Sequence, residues 1–220
     1  MSLAQDRQHM IEDHLQARGI GDARVLQAMA KVPRERLIAA ALRDRAYDDR
    51  ALPIEAGQTI SQPYIVALTA QALALSPQDR VLEIGTGSGY AAAIYAELVR
   101  EVYTVERHAE LADGARRRLA ELGYRNIAVR CGDGTRGWPE HAPYQAIAVA
   151  AAGAEIPAAL LEQLAPGGRL IMPVGGPELQ HLLRVTRLVP GAPGADARGF
   201  VQGDLGAVQF VPLVAELPGD

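Results

Sequence analysis

From residue 62 onward, short apolar segments alternate with amphipathic ones, and this alternation restricts the fold more than any other feature of the chain. Helical spacing runs over 62–75, 89–99, 108–122 and 156–164; in the third of these Leu111, Ala115, Leu119 and Leu122 share one face. Between them lie strand-like runs at 80–84, 102–106, 127–131, 146–151 and 169–174. Strands that alternate with helices form βαβ units, and right-handed crossovers place those helices on both faces of a parallel sheet. Two more strands, Leu182 to Leu188 and Ala207 to Leu213, have no helix between them, only a Gly- and Pro-rich stretch at 189–206, and so can pair antiparallel. The expected fold is α/β: a doubly wound, mostly parallel, seven-stranded Rossmann-like sheet with an N-terminal helical appendage.

Residues 5–50 read as helical and polar. Gly19 is a stop, Asp22 an N-cap for a second helix through Val25, Leu26 and Met29, and Val32-Pro33 a break. Residues 51–61 are irregular. The whole of 1–220 is expected to form one domain, with a helical and lid segment at 1–61, an α/β core at 62–188, and a loop and terminal strand at 189–220.

Composition narrows the partners. The chain has 220 residues, 49% of them hydrophobic, enough for one domain with a sizeable core. A net charge of −4 supplies no electrostatic reason to expect nucleic acid or an anionic membrane. Cys131 is the single cysteine, which suits a reducing compartment, and the five histidines lack metal-ligand spacing. The start lacks signal-peptide character, and no apolar run reaches the roughly 18 residues of a membrane span. A cytoplasmic protein without metal, membrane or nucleic-acid partner is expected, acting as a monomer.

The central chemical signal is Val81-Leu82-Glu83-Ile84-Gly85-Thr86-Gly87-Ser88-Gly89-Tyr90. It leaves a buried strand and opens a helix, so in a doubly wound sheet it lies where ligands bind. A dinucleotide turn has the pattern G-x-G-x-x-G, but Tyr90 stands where its third glycine belongs. Glu83, just before the turn, would repel a pyrophosphate and suits a ligand carrying an ammonium group. S-adenosylmethionine has an amino-acid end, a sulfonium and no phosphate. Glu106, at the end of the next strand, suits the vicinal hydroxyls of a ribose. Asp133, after the third strand, suits an adenine amino group.

Each of these residues also has a plain reading. Glu83 could be a paired strand carboxylate, Asp133 a turn residue in Asp-Gly, and Ser61 the N-cap of the helix it precedes. Three acids at the ends of three successive strands, around one glycine-rich turn, are harder to read as turns. Arg116-Arg117-Arg118 reads as a solvated helix face, Trp138 as loop packing, Cys131 as a buried apolar strand end, and Tyr64 as core or site.

Beyond the glycine turn the chain resembles the protein-L-isoaspartate (D-aspartate) O-methyltransferase family over nearly all of residues 8–213. The specific stretches are Arg45-Ala46-Tyr47, Pro53-Ile54 and Gly57-Gln58-Thr59-Ile60-Ser61-Gln62-Pro63. Val32-Pro33-Arg34, Gly132-Asp133-Gly134, Glu155-Ile156-Pro157, Leu164 to Leu170 and Val208 to Leu213 are similar too. The resemblance implies that Ser61 is the active-site residue. It implies that S-adenosylmethionine is bound along Glu83, Gly85, Thr86, Gly87, Ser88, Glu106, Arg107, Asp133 and Gly134, and covered by Thr59, Ile60 and Ser61. Isoaspartyl-containing proteins and peptides are the implied partners, and protein repair the implied role. The chain departs from the family's pattern at Leu37 to Ala41, Gln145, Ala150 and Gly153-Ala154, the last three on the acceptor side of the fourth strand.

The chemistry this implies is methyl transfer to a carboxylate. A group with a pKa of roughly 4 is already ionised at neutral pH and needs no general base. Catalysis then rests on positioning and on excluding water, with Ser61 as a donor that orients the acceptor and 57–61 as a lid. The competing readings are a methyltransferase with another acceptor, a non-catalytic S-adenosylmethionine-binding protein, and a nicotinamide oxidoreductase.

Overall fold

In a computed structural model of the chain, residues 2–194 and 196–215 are described. The N-terminal appendage begins with α1 (Leu3–His9), capped by Ser2, whose side chain accepts from Gln5 N–H. It continues through a π-helical turn (Met10–Leu15) and a 3₁₀ turn (Gln16–Arg18) to Gly19, which ends it at φ +90°. α2 (Ala23–Lys31) starts at Asp22, whose carboxylate accepts from Arg24 and Val25 N–H, and it stops at Val32-Pro33. Arg34 then turns inward and is fully buried, its Nε donating to Ala46 O at 2.7 Å and its guanidinium lying 4.7 Å from the Tyr90 ring centre. Burial holds its pKa below the ordinary arginine value.

The segment 51–61 is more ordered than its irregular sequence suggests. β1 (Leu52–Pro53) and β2 (Thr59–Ile60) pair antiparallel, Leu52 opposite Ile60, as a miniature hairpin. α3 (Pro63–Leu73) follows. Its N-cap is Gln62, with Pro63 in the first turn and no side-chain cap bond, so the N-cap reading of Ser61 is corrected: proline already lacks one of the donors that a cap would satisfy.

The core then runs β3 (Arg80–Ile84), α4 (Tyr90–Ala96), β4 (Glu101–Glu106), α5 (Ala109–Glu121), β5 (Ile127–Cys131), β6 (Tyr144–Val149), α6 (Ala158–Glu162), β7 (Leu164–Gly175), β8 (Gln180–Arg187) and β9 (Phe200–Val208). The seven strands stand in the order β5-β4-β3-β6-β7-β8-β9. β3 to β7 are parallel; β8 and β9 are antiparallel additions, as expected. Alternation along β3 divides the core. Val81 belongs to the cluster shared with α3, α4 and the appendage, while Leu82 and Ile84 face Tyr144, Leu160 and Leu161 on the other side. Glu83 therefore shares a face with Val81 and is 1% exposed.

Two expectations are corrected. The last strand is Phe200–Val208, not 207–213: its inner neighbour β8 offers a ladder to 200–208, and its lack of any fully buried position suits a sheet edge in spite of Gly203 and Gly206. Residues 209–213 instead turn back across the ends of the strands. Ala152 N–H donates to Val211 O (2.8 Å) and Leu213 N–H to Ala152 O (2.7 Å), while the buried Gln180 side chain exchanges bonds with Phe210 N and O. Cys131 is exposed rather than buried, because β5 is the opposite edge of the sheet.

Candidate functional site

The chain reverses direction between β4 and β6, which flank β3, and a crevice opens there beyond the carboxyl ends of the strands. It holds a cavity of about 630 Å³. Of the residues expected to bind a cofactor or act, Thr59, Ile60, Ser61, Glu83, Gly85, Thr86, Gly87, Ser88, Glu106, Arg107 and Gly134 line it. Asp133 is not among the walls.

The glycine turn floors the cavity. Gly85, Gly87 and Gly89 all take positive φ (+93°, +51° and +90°), where an L-residue with a side chain costs roughly 1–2 kcal/mol. Gly85 N–H donates to Val105 O and Ala150 N–H to Ile84 O, both at 2.8 Å, which stitches the turn to its neighbours on either side.

Glu83 stands behind this floor. Its Oε2 accepts from the Thr104 hydroxyl at 2.5 Å, and Thr104 is 2.6 Å from the Thr86 hydroxyl. Since the one Thr104 proton goes to Glu83, Thr86 donates to Thr104. Glu83 Oε1 is buried with no well-aligned hydrogen-bond partner among the described residues, although the Ala92 N–H lies near enough to the carboxyl to favour its ionised form. Desolvation pushes the Glu83 carboxyl up to about 8, against the Thr104 hydrogen bond. A buried acceptor lacking a partner, on the wall of a cavity, is what a ligand cation would satisfy.

Glu106 ends β4 with both oxygens engaged. Oε2 accepts from Gly87 N–H at 2.9 Å and Oε1 from His108 N–H at 3.0 Å. Each oxygen keeps a lone pair, so the side chain both pins the turn and can accept two hydroxyls. Beside it, Arg107 Nε is buried without a partner among the described residues. Asp133 caps a short 3₁₀ turn, its Oδ1 accepting from Thr135 N (2.9 Å) and Oγ1 (2.7 Å); the turn presents Gly134 to the cavity. A Cβ on Gly134 would lie 2.4 Å from Ile84 Cγ2.

The β1–β2 hairpin roofs the cavity. Ile54 Cδ1 lies 3.4 Å from where a Gly87 Cβ would be, and Thr59, Ile60 and Ser61 follow the roof to α3. Because Gln62 is the cap, the Ser61 hydroxyl is not used to start the helix.

Several wall residues were not singled out from sequence. Arg18 lies 3.5 Å over the Tyr64 ring centre and pairs with Asp49 at 2.6 Å; Asp49 also accepts from Gln62 Nε2 and Tyr64 N–H. Residues 209–214 close the far side. Neither group has a local signal, although Val208 to Leu213 is one of the stretches similar to the family. Arg118 is corrected too. Its side chain is mostly buried while Arg116 and Arg117 stay exposed, and its Nε donates to Ser88 O at 3.1 Å. Among the departures, Gln145 is remote from the cavity and accepts from Arg80 N–H at 2.8 Å, Ala150 lines the wall beside Gly85, and a Cβ on Gly153 would lie 2.7 Å from Met172 Cε. Trp138 packs a loop, edge-on to Tyr103, as expected.

A family model described as protein-L-isoaspartate(D-aspartate) O-methyltransferase matches residues 5–217. The chain is 53% identical over 208 residues to the protein-L-isoaspartate O-methyltransferase of Protochlamydia amoebophila, covering 94% of this chain and 96% of that one. It is 54% identical over 214 residues to protein-L-isoaspartate O-methyltransferase 1 of Geotalea uraniireducens, covering 97% and 94%. Among solved structures, a protein-L-isoaspartate O-methyltransferase superposes with a TM-score of 0.82 at 28% identity, covering 94% of this chain and 65% of that one. The β-aspartate methyltransferase from Plasmodium falciparum, in complex with S-adenosyl-L-homocysteine, gives 0.78 at 26% identity, covering 94% and 97%.

Proposed function

The chain belongs to the protein-L-isoaspartate(D-aspartate) O-methyltransferase family, and from that premise we propose how its cavity transfers a methyl group from S-adenosylmethionine to the free carboxylate of L-isoaspartyl residues in damaged proteins and peptides. The observation that carries this reading is the pairing of Glu83 and Glu106 on one cavity wall: a buried carboxyl oxygen without a partner beside a carboxylate whose two oxygens can each accept one more hydrogen. The first suits an ammonium and the second a vicinal diol.

S-adenosylmethionine supplies an electrophilic methyl on a sulfonium, which departs as the neutral thioether. The residues of the chain do the rest. Gly85 and Gly87 present main chain to the cofactor without a Cβ in the way, and Thr86 and Ser88 line the cavity beside them. Gly134 walls the adenine side, held there by Asp133, whose Oδ1 goes to Thr135 and whose Oδ2 pairs with Arg136 at 3.4 Å, and Arg107 adds a donor with no protein partner among the described residues. The Thr59–Ser61 strand covers the reacting centre. An isoaspartyl carboxylate carries no proton to remove, so one C–O bond forms and one S–C bond breaks without acid–base help. The Ser61 hydroxyl donates to that carboxylate and aims one oxygen at the methyl group. The roof and residues 209–214 exclude the water that would otherwise solvate the nucleophile.

Methylation at this site starts the repair of the damaged residue. We place the protein in the cytoplasm as a monomer; the lone, exposed thiol of Cys131 suits a reducing compartment. Residues 1–220 act as one domain, since a single apolar cluster runs from Met10 in the appendage to Leu182 in β8.

The test is transfer of labelled methyl to two peptides identical except for isoaspartate or aspartate at one position. Base-labile label on the isoaspartyl peptide alone supports the assignment. Label on neither, with cofactor bound, overturns it.

A further inference from the structure

α5 carries a glycine at a buried position inside the helix, Gly114, where a helix gains nothing from one. Four residues on, Arg118 runs back along the helix toward its N-terminus, the direction helical side chains take. Its Nη1 and Nη2 lie 3.2 Å from where a Cβ on Gly114 would be, with Cζ at 3.4 Å, so the side chain nearest that point is Arg118. The missing side chain makes room for the guanidinium. From that seat, Nε donates to the carbonyl of Ser88 in the glycine turn at 3.1 Å, and Nη1 lies 3.9 Å from Glu55 Oε1 at the tip of the β1–β2 hairpin.

We propose that Gly114 and Arg118 form a latch that ties the roof hairpin to the cofactor turn and thereby slows release of the cofactor. This rests on the reading that the cavity holds S-adenosylmethionine. One guanidinium holds the floor through Ser88 and the roof through Glu55, so the two sides of the cavity keep a fixed spacing. Ile54, next to Glu55, rests over Gly87 and adds an apolar contact between the same two pieces. Arg118 touches neither the acceptor nor the reacting atoms; it is a positioning residue. Among the described residues its Nη2 is buried without a partner, an unmet donor that calls for an explanation.

The experiment measures S-adenosylhomocysteine affinity and dissociation rate for the full chain and for Arg118→Met, Glu55→Gln, their double variant and Gly114→Ala. Arg118→Met weakens binding roughly tenfold through faster dissociation, as expected for loss of a charge-assisted bond. Glu55→Gln weakens it about two- to threefold, as expected for a half-exposed pair, and adds nothing on top of Arg118→Met. Thermal stability of Arg118→Met stays level or rises, because the partnerless buried donor is removed. Gly114→Ala improves the helix yet weakens binding by displacing the guanidinium. Arg118→Lys recovers part of the loss in affinity and in dissociation rate. Wild-type affinity in Arg118→Met, or losses that multiply in the double variant, overturns the latch alone. Failure of the unmutated chain to bind S-adenosylhomocysteine overturns the cofactor reading and the latch with it.

Discussion

The carboxylate of Glu106 holds Gly87 in place: its Oε2 accepts the Gly87 N–H at 2.9 Å, joining the end of β4 to the middle of the glycine turn. The same side chain is thus a splint for the turn and, under the proposed function, an acceptor for the ligand. Replacing Glu106 with Ala removes both, and affinity for S-adenosylhomocysteine falls by about 30- to 100-fold, equivalent to roughly 2–3 kcal/mol. Isothermal calorimetry measures this directly; a loss below threefold would show that Glu106 only braces the turn.

Glu83 makes the protein pH-sensitive in a defined direction. Its carboxyl is raised from 4.5 to about 8 by burial. Between those values the folded state keeps a proton that the unfolded chain has lost. The Glu83 contribution to ligand-free stability is therefore full below pH 4.5 and declines as pH rises toward about 8, by about 1.4 kcal/mol per pH unit. Glu83→Gln removes this slope and raises the unfolding midpoint at pH 8, as denaturant titrations at several pH values would show.

The same residue couples binding to protons. An ammonium placed at Oε1 favours the ionised form, so below about pH 8 cofactor binding releases a proton and tightens as pH rises. Calorimetry in two buffers of different ionisation enthalpy reads the released proton. In Glu83→Gln the release disappears and affinity drops at least tenfold, on the order of 1.4 kcal/mol. Equal proton release by both proteins would remove Glu83 from the ligand.

Ser61→Ala separates catalysis from folding. Gln62 is the cap of α3 and uses no side-chain bond, so the change leaves stability within about 0.5 kcal/mol. Cofactor affinity holds while kcat for an isoaspartyl peptide falls about 10- to 100-fold, the scale of one hydrogen bond to a reacting oxygen. A rate within twofold of the unmutated enzyme would remove Ser61 from the reaction.

Gly134→Ala tests the cavity wall against the core. The new methyl would lie 2.4 Å from Ile84 Cγ2, on a strand buried from both faces. Destabilisation of about 1–3 kcal/mol follows from overpacking, with weaker cofactor binding as β3 shifts. Trimming the neighbour, Ile84→Val with Gly134→Ala, recovers part of the stability in a denaturant titration.

Local periodicity and residue chemistry made the parallel core legible. Buried strands write apolar runs and helices write a 3.6-residue stripe, so β3 to β5 and α3 to α5 could be placed near their observed bounds. The glycines at 85, 87 and 89 announced a turn with positive φ, and Glu83 and Glu106 carry the proposal of a ligand with an amine and a diol. The terminal strand was misplaced because Gly203 and Gly206 read as loop, and an edge strand needs only one ladder to exist.

The sequence by itself therefore determined the sheet class, the position of the crevice and the chemistry of its floor, because each depends on residues close together in the chain. The tertiary structure alone decided which distant residues complete the site. Arg18 reaches its wall through Asp49 and Tyr64, residues 209–214 cross it because Gln180 and Ala152 hold them there, and Arg118 joins Ser88 to Glu55. It also decided that Asp133 gives one oxygen to Thr135 and that Ser61 is no helix cap. The physical reason is range: a periodic pattern fixes what a segment becomes, whereas side chains remote in sequence meet only after the segments have packed.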